Sequence, residues 1–148
     1  MTPPALRPYQ ETALDAICAA RAQGLTRLLV QAACGAGKTQ IFASLLRWPA
    51  LQPWLSTFPE KERKVLVVAH REELLTQAQA RMQQLNPGLI VSIEQAGLHA
   101  SRYSDVVIAS IQTLSAMKFR RLKRLMQQHT FRIVVVDDAS KDDTAAVT

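Results

Sequence analysis

Apolar and polar positions alternate along this chain with two different periods, which predicts helices and strands in turn. Apolar residues spaced three or four apart predict helices over residues 8–22, 38–47, 72–85 and 111–128. Short apolar runs predict strands at residues 27–32, 65–69, 89–93, 105–109 and 131–136. Residues 49–64 hold three prolines and are predicted to form a loop. Because strands alternate with helices, the pattern predicts an α/β fold with a parallel sheet flanked by helices.

Length and composition favour one globular domain. The chain has 148 residues, 48% of them hydrophobic, which is enough to bury a core. No apolar run approaches the ~20 residues of a membrane span, and residues 1–10 do not resemble a secretion signal. The two cysteines, Cys18 and Cys34, form no C-x-x-C pair, so a disulfide scaffold or a zinc site has little support. We therefore expect a soluble, cytoplasmic protein with no membrane partner.

Charge is unevenly distributed along the sequence. Residues 137–148 carry a net charge of −3, and the preceding 136 residues carry +9. Such a basic body attracts polyanions, of which nucleic acid is the commonest. The densest basic run, residues 118–132, contains six lysines and arginines and no acid. It is either the solvated face of an amphipathic helix or part of a nucleic-acid surface.

A glycine-bearing segment stands between a predicted strand and a predicted helix, as a phosphate-binding loop requires. Its residues are Gly35, Ala36, Gly37, Lys38 and Thr39. Glycine lets backbone N–H groups approach phosphate oxygens, Lys38 would reach the β- and γ-phosphates, and the Thr39 hydroxyl would bind Mg²⁺. The strict pattern has glycine where this chain has Ala32, so the match is to G-x-G-K-T. The alternative is an accidental glycine-rich turn.

Two adjacent carboxylates, Asp137 and Asp138, follow the apolar strand at residues 131–136. In phosphoryl-transfer sites, one such acid holds the Mg²⁺ and its neighbour orients or deprotonates the attacking water. The alternative is that they only end a strand and begin a polar tail. Since no D-x-x-G or N-K-x-D segment accompanies them, ATP is favoured over GTP as the nucleotide.

Five ordered segments give this chain a resemblance to a known family. They are residues 6–10 (LRPYQ), 35–39 (GAGKT), 68–77 (VAHREELLTQ), 108–114 (IASIQTL) and 135–140 (VVDDAS). Their order and spacing resemble the superfamily 2 DEAD/DEAH-box helicases, in the branch that includes restriction-enzyme translocases and repair helicases. The resemblance runs from Leu6 to Ala139. It implies a RecA-like P-loop NTPase fold, with residues 1–148 as the N-terminal ATP-binding lobe.

The resemblance also implies roles for individual residues. Gln10 would read the adenine edge with Arg7 near the base, although both would also suit an ordinary helix start. His70, Arg71 and Ser110 would contact a nucleic-acid backbone, with single-stranded DNA favoured over RNA. A solvated loop for the first two, and a helix N-cap for Ser110, are the structural alternatives. Lys38 and Asp138 would be catalytic, while Thr39 and Asp137 would bind Mg²⁺.

The chain departs from the family pattern near its end. Residues 137–140 read Asp-Asp-Ala-Ser where the family has Asp-Glu-Ala-His or Asp-Glu-Ala-Asp, so Asp138 is one methylene short. The sequence continues for eleven residues beyond Asp137, so we expect these 148 residues to lack the family's second RecA-like lobe and its arginine finger. In RecA-like sheets the next strand lies beside the phosphate-loop strand, so we expect an incomplete lobe with a central gap. Residues 137–148 are an acidic end and a candidate for disorder.

The complete protein is thus expected to couple ATP hydrolysis to movement on nucleic acid as a helicase or translocase. This chain alone is expected to show little activity, because one lobe has nothing to close against. The alternatives are a non-catalytic, nucleotide-responsive nucleic-acid-binding module and an inactive gene fragment.

Overall fold

A computed structural model describes residues 5–31, 37–70, 72–137 and 144–147, and for Glu72 and residues 144–147 it describes only the backbone. The helices are α1 (Pro8–Ala22), α2 (Lys38–Leu45), α3 (Gln52–Leu55), α4 (Glu72–Leu85) and α5 (Ile111–Gln128). The strands are β1 (Leu28–Gln31), β2 (Lys64–Ala69), β3 (Val91–Glu94), β4 (Val106–Ser110), β5 (Phe131–Asp137) and β6 (Thr144–Val147).

All six of these strands form one sheet, in the order β1-β6-β5-β2-β4-β3. Neighbours among β5, β2, β4 and β3 pair in parallel, which confirms the predicted parallel α/β sheet. Ala69 stands in register with Asp137 on one side and with Ser110 on the other. The carboxyl ends of β5, β2 and β4 are therefore level at one edge of the sheet, where α/β folds place their ligands.

The centre of the sheet differs from expectation, because β6 occupies the position between β1 and β5 that was expected to be empty. It pairs antiparallel with both neighbours, with Leu28 opposite Val147 and Asp137 opposite Ala145. Without it, the facing edges of β1 and β5 would present unpaired backbone N–H and C=O groups, which are costly to bury. Since β6 is antiparallel to both, β1 and β5 run in the same direction.

The two faces of the sheet are covered by different helices. Alternate residues such as Val65 and Val67 pack into a core with α1, α2 and α4, which contributes Leu75. Leu66 and its neighbours face the opposite side and pack with Leu125 of α5. The period-two alternation of strand side chains thus gives a sheet with helices on both faces.

Two segments differ from their predicted conformations. The proline-rich stretch at residues 49–64 contains α3 and the 3₁₀ helices Pro49–Leu51 and Glu60–Glu62, with buried Leu51 and Leu55 as anchors. Two of its prolines stand in the first turns of short helices, where the missing N–H has no intrahelical acceptor. The α5 helix is also kinked, with left-handed φ at Met117, Lys118 and Phe119.

Candidate nucleotide-binding site

The site begins with an ion pair at the carboxyl edge of the sheet. Lys38 is the first residue of α2, Asp137 is the last residue of β5, and Lys38 Nζ lies 3.7 Å from Asp137 Oδ1. Both side chains are about nine-tenths buried. The structure therefore brings together a cation and a carboxylate that stand 99 positions apart in the sequence.

Gly37, which immediately precedes α2, has a conformation that suits glycine. Its φ of 77° and ψ of 44° are left-handed. A Cβ on this residue would also lie 2.5 Å from Gln10 Nε2, closer than real Cβ atoms approach. The backbone therefore turns into α2 at a place where both the dihedral angles and the surrounding space select glycine.

Gln10 connects the start of α1 to this turn. Its Oε1 accepts a hydrogen bond from the Arg7 backbone N–H at 2.8 Å, and its Nε2 donates to the Gly37 carbonyl at 3.3 Å. The side chain is buried, whereas Arg7 is exposed and donates from Nη1 to the Tyr9 hydroxyl at 3.3 Å. This geometry holds α1 against the start of α2, and the adenine contacts of Gln10 and Arg7 stay predictions.

Thr39 lies in the first turn of α2 and lines a cavity of about 430 Å³ between α2 and α4. The far wall is formed by Gln77, Arg81 and Gln84. Arg81 and Gln84 were not predicted as site residues, although their spacing from Gln77 places all three on one helix face. Polar side chains of α4 thus accompany the glycine turn.

Some predicted site residues lie outside the described ones. These are Gly35, Ala36, Arg71 and Asp138. The predicted catalytic and binding roles of these four therefore stay predictions.

The predicted nucleic-acid residues His70 and Ser110 follow or end neighbouring strands. His70 is exposed directly after β2, and Ser110 is the last residue of the adjacent β4. Ser110 is buried, its Oγ accepts from the Thr113 backbone N–H at 3.1 Å, and it donates to Thr113 Oγ1 at 2.7 Å. The N-cap alternative for Ser110 is therefore confirmed, and its contact with a phosphate stays a prediction.

Residues 4–141 match the family model described as the type III restriction enzyme, res subunit. The chain belongs to this family. The match confirms the resemblance to the N-terminal lobe of superfamily 2 helicases that the five segments indicated. It covers the glycine turn and Asp137, so the Lys38–Asp137 pair lies in the part of the chain that matches the family.

Two yeast proteins are similar to this chain. The candidate ATP-dependent helicase IRC3 of Saccharomyces cerevisiae is 36% identical over 139 residues, which are 92% of this chain and 19% of that protein. The candidate mitochondrial ATP-dependent helicase irc3 of Schizosaccharomyces pombe is 30% identical over 134 residues, or 90% and 20%. The chain thus spans about a fifth of the length of these relatives.

The fold is similar to that of the SWI2/SNF2 ATPase core of Sulfolobus solfataricus, solved in complex with dsDNA. The TM-score is 0.56 at 14% identity, over 74% of this chain and 22% of that one. This structural similarity supports a RecA-like fold for the chain. Across the described parts of the chain, none of the helices combines the length and the apolarity needed to cross a membrane.

A second charged group, at the carboxyl end of β3, was not predicted. We call it the Glu94 cluster: Glu94, His99, Ala100, Arg121 and Arg124. Glu94 is fully buried, its Oε2 accepts from the Ala100 N–H at 2.5 Å, and its Oε1 accepts from Arg121 Nε at 3.2 Å and from Arg124 Nη2. His99 Nδ1 lies 3.6 Å from the same Oε1. The cluster holds α5 against the edge of the sheet.

Proposed function

We propose that this chain is the nucleotide-binding N-terminal lobe of an ATP-dependent helicase or translocase. The observation that carries the proposal is the Lys38–Asp137 pair, 3.7 Å apart, next to the left-handed Gly37. Membership of the res-subunit family and similarity to two candidate ATP-dependent helicases support it. Movement on nucleic acid would be a property of the longer protein.

The residues at the site suit MgATP as cofactor. Asp137 and Thr39 offer the carboxylate and hydroxyl oxygens that Mg²⁺ prefers, and Lys38 offers a cation for phosphate oxygens. When bound, MgATP supplies the phosphoanhydride bond whose hydrolysis drives the motion. Lys38 would neutralise charge on the phosphates, and the neighbouring Asp138 would orient or deprotonate the attacking water. Gln10, held beside Gly37, would contact the adenine.

Nucleic acid is the partner that we propose for the carboxyl edge of the sheet. His70 and Ser110 lie on adjacent strand ends there, and residues 1–136 carry a net charge of +9. We propose single-stranded DNA in preference to RNA. Since backbone contacts dominate such binding, we expect little sequence selectivity. We also keep a cytoplasmic location as a proposal, although the description of the fission-yeast relative names mitochondria.

Calorimetric titration with MgATP tests the nucleotide site. We expect the 148-residue chain to bind and Lys38→Ala to show no resolved binding, because the variant lacks the charge that faces the phosphates. Lys61→Ala is the matched control, since Lys61 is an exposed lysine in the 3₁₀ helix Glu60–Glu62. Equal heats from the chain and Lys38→Ala would remove the phosphate-loop assignment.

Phosphate release separates the helicase lobe from the non-catalytic alternative. An arginine finger contributes about 10³- to 10⁵-fold in rate, and the resemblance assigns it to the second lobe. We therefore expect the 148-residue chain to bind MgATP with little turnover, with or without single-stranded DNA or RNA. Nucleic-acid-stimulated ATP turnover of ~1 s⁻¹ would mean that a second copy of the chain completes the site.

In the longer protein, Asp138→Glu should keep or raise the rate of ATP hydrolysis. A hydrolysis rate that stays negligible in this variant would favour the non-catalytic module.

A further inference from the structure

A basic pocket of about 760 Å³ lies on the kinked helix α5, outside the five segments that resemble the helicase family. Its lining contains five lysines and arginines together with one histidine, namely Lys118, Arg120, Arg121, Lys123, Arg124 and His99. The remaining described lining residues, Met117 and Gln127, are uncharged. A concave surface with this lining attracts an anion with several charges.

The cations of this pocket fall into two groups. Arg121 and Arg124 are partly buried and hold the Glu94 carboxylate. Lys118, Arg120 and Lys123 are exposed, and within the described part of the chain their side chains form no hydrogen bond or ion pair. The first group thus builds the wall of the pocket, and the second group is available to a ligand.

The kink adds apolar side chains to these cations. Met117, Lys118 and Phe119 have φ values of 51°, 57° and 64°, a conformation that residues with a Cβ seldom adopt in succession. Such outliers cluster at functional sites. Here the kink leaves Met117 75% exposed and Phe119 51% exposed, on either side of Lys118. Exposed apolar faces alternate with exposed cations along this turn.

We propose that this pocket binds the phosphodiester backbone of single-stranded nucleic acid, with Phe119 stacking on an adjacent base. A single strand complements both kinds of side chain. Its phosphates would face the exposed cations, and the flat apolar face of a base would stack on the Phe119 ring. An acidic peptide would supply only the charges. The inference rests on the proposed function, since it adds a second contact surface for the same nucleic-acid partner.

Fluorescence anisotropy with a labelled single-stranded DNA oligonucleotide tests the charged part. The double variant Arg120→Gln/Lys123→Gln leaves Arg121, Arg124 and Glu94 in place. We expect it to bind ~10-fold or more weakly at 50 mM salt, and its slope of log K against log salt to fall by about 1.4, since each lost contact with a single strand contributes about 0.7. The control Arg27→Gln/Lys61→Gln removes two exposed charges that precede β1 and β2, and we expect less than ~2-fold change.

The apolar part has its own matched pair on the same helix. Phe119→Ala should weaken binding by ~5-fold to ~100-fold, the range that loss of base stacking gives. Met126→Ala removes a side chain that is 58% exposed on α5 and lies outside the kink, and it should bind like the parent chain.

Each other outcome overturns part or all of the proposal. Equal losses in the two double variants would mean that net charge alone attracts the strand, and equal effects of Phe119→Ala and Met126→Ala would remove the stacking role. Displacement by oligoglutamate of equal charge would show an unselective polyanion site. A parent chain that binds no oligonucleotide would overturn the pocket, whereas the nucleotide site is judged separately by the MgATP titration.

Discussion

Two carboxylates end parallel strands of this sheet, and their surroundings differ. Asp137 ends β5 and faces Lys38 at 3.7 Å. Glu94 ends β3, has no exposed surface, and accepts hydrogen bonds from Ala100 N–H, Arg121 and Arg124. The same position in the fold therefore carries one distant ion pair and one tightly bonded carboxylate.

The difference indicates what each carboxylate does. A buried charge is stable only when hydrogen bonds and opposite charges surround it, and the Glu94 cluster meets that condition within the chain. Lys38 Nζ and Asp137 Oδ1 lie 3.7 Å apart, beyond the distance of a charge-assisted hydrogen bond, and both residues lie in segments that resemble the helicase family. The Glu94 cluster is thus a structural support for α5, and the Lys38–Asp137 pair is the better candidate for ligand chemistry.

The largest expected effect comes from removing the Glu94 charge. Glu94→Gln should lower the free energy of unfolding by about 3 kcal/mol, because Arg121 and Arg124 would keep partly buried charges without a counterion. Asp137→Asn should lower it less, by about 1–2 kcal/mol, because the Lys38–Asp137 contact is longer than the contacts of Glu94 with its arginines. Urea denaturation of both variants gives the two values.

The control for this comparison is an exposed ion pair. Arg132 Nη2 lies 3.0 Å from Glu62 Oε2, and both side chains are about one-third exposed. Glu62→Gln should therefore cost less than ~1 kcal/mol. If Glu94→Gln unfolded no more easily than Glu62→Gln or Asp137→Asn, the distinction between a structural and a ligand-binding carboxylate would be lost.

A smaller effect is expected at the glycine turn beside Lys38. Gly37→Ala should destabilise the fold by ~1–2 kcal/mol through its left-handed φ, and further through the clash with Gln10 Nε2. Gly24→Ala is a matched control, because Gly24 has a φ of 91° and a Cβ added there would meet nothing within 4 Å beyond its chain neighbours. The excess of Gly37→Ala over Gly24→Ala in urea denaturation measures the contact with Gln10.

A double-mutant cycle then checks that interpretation. In a Gln10→Ala background the steric part of the Gly37→Ala effect should disappear, which leaves a cost close to that of Gly24→Ala. An undiminished cost would show that Gln10 does not restrict this turn.

Local patterns were enough to predict much of the fold. The bounds predicted for α1, α4 and α5 agree with the structure. Pro8 starts α1, and Asn86-Pro87-Gly88 follows the end of α4. The glycine-bearing segment and the acid after the apolar strand assign Lys38 and Asp137 to one nucleotide site, and the two side chains lie 3.7 Å apart. The roles of both residues stay predictions.

Long-range and conformational features could not be predicted in the same way. Strand β6 has the short sequence Thr-Ala-Ala-Val, and its position depends on pairing with β1, which lies far away in the chain, as well as with the nearby β5. The α5 kink contains neither glycine nor proline, the usual signals of a break. Glu94 lies 27 and 30 residues from its arginine partners, so no local spacing marked the cluster.

The smallest expected effect is a pH dependence at the far end of α5. His129 is buried, its Nδ1 lies 3.0 Å from Lys64 Nζ, and its ring stacks on Phe131. Burial, aided by the charges of Lys64 and Arg124 and opposed by Glu94, lowers the pKa of His129. Nδ1 therefore accepts a hydrogen bond from Lys64, and protonation of the ring would place two cations side by side.

The sign of the effect follows from that lowered pKa. The unfolded chain takes up a proton near pH 6.5, at a higher pH than the folded chain does, so the free energy of unfolding should fall as the pH falls below about 6.5. The slope from this one group is at most about 1.4 kcal/mol per pH unit. Urea denaturation between pH 8 and 5.5 measures this slope.

The control variant is His129→Gln, which keeps a hydrogen-bond acceptor for Lys64 but does not titrate. Its free energy of unfolding should therefore depend less on pH than that of the parent chain. Coincident profiles of the parent chain and His129→Gln would show that His129 does not control the acid sensitivity of the fold.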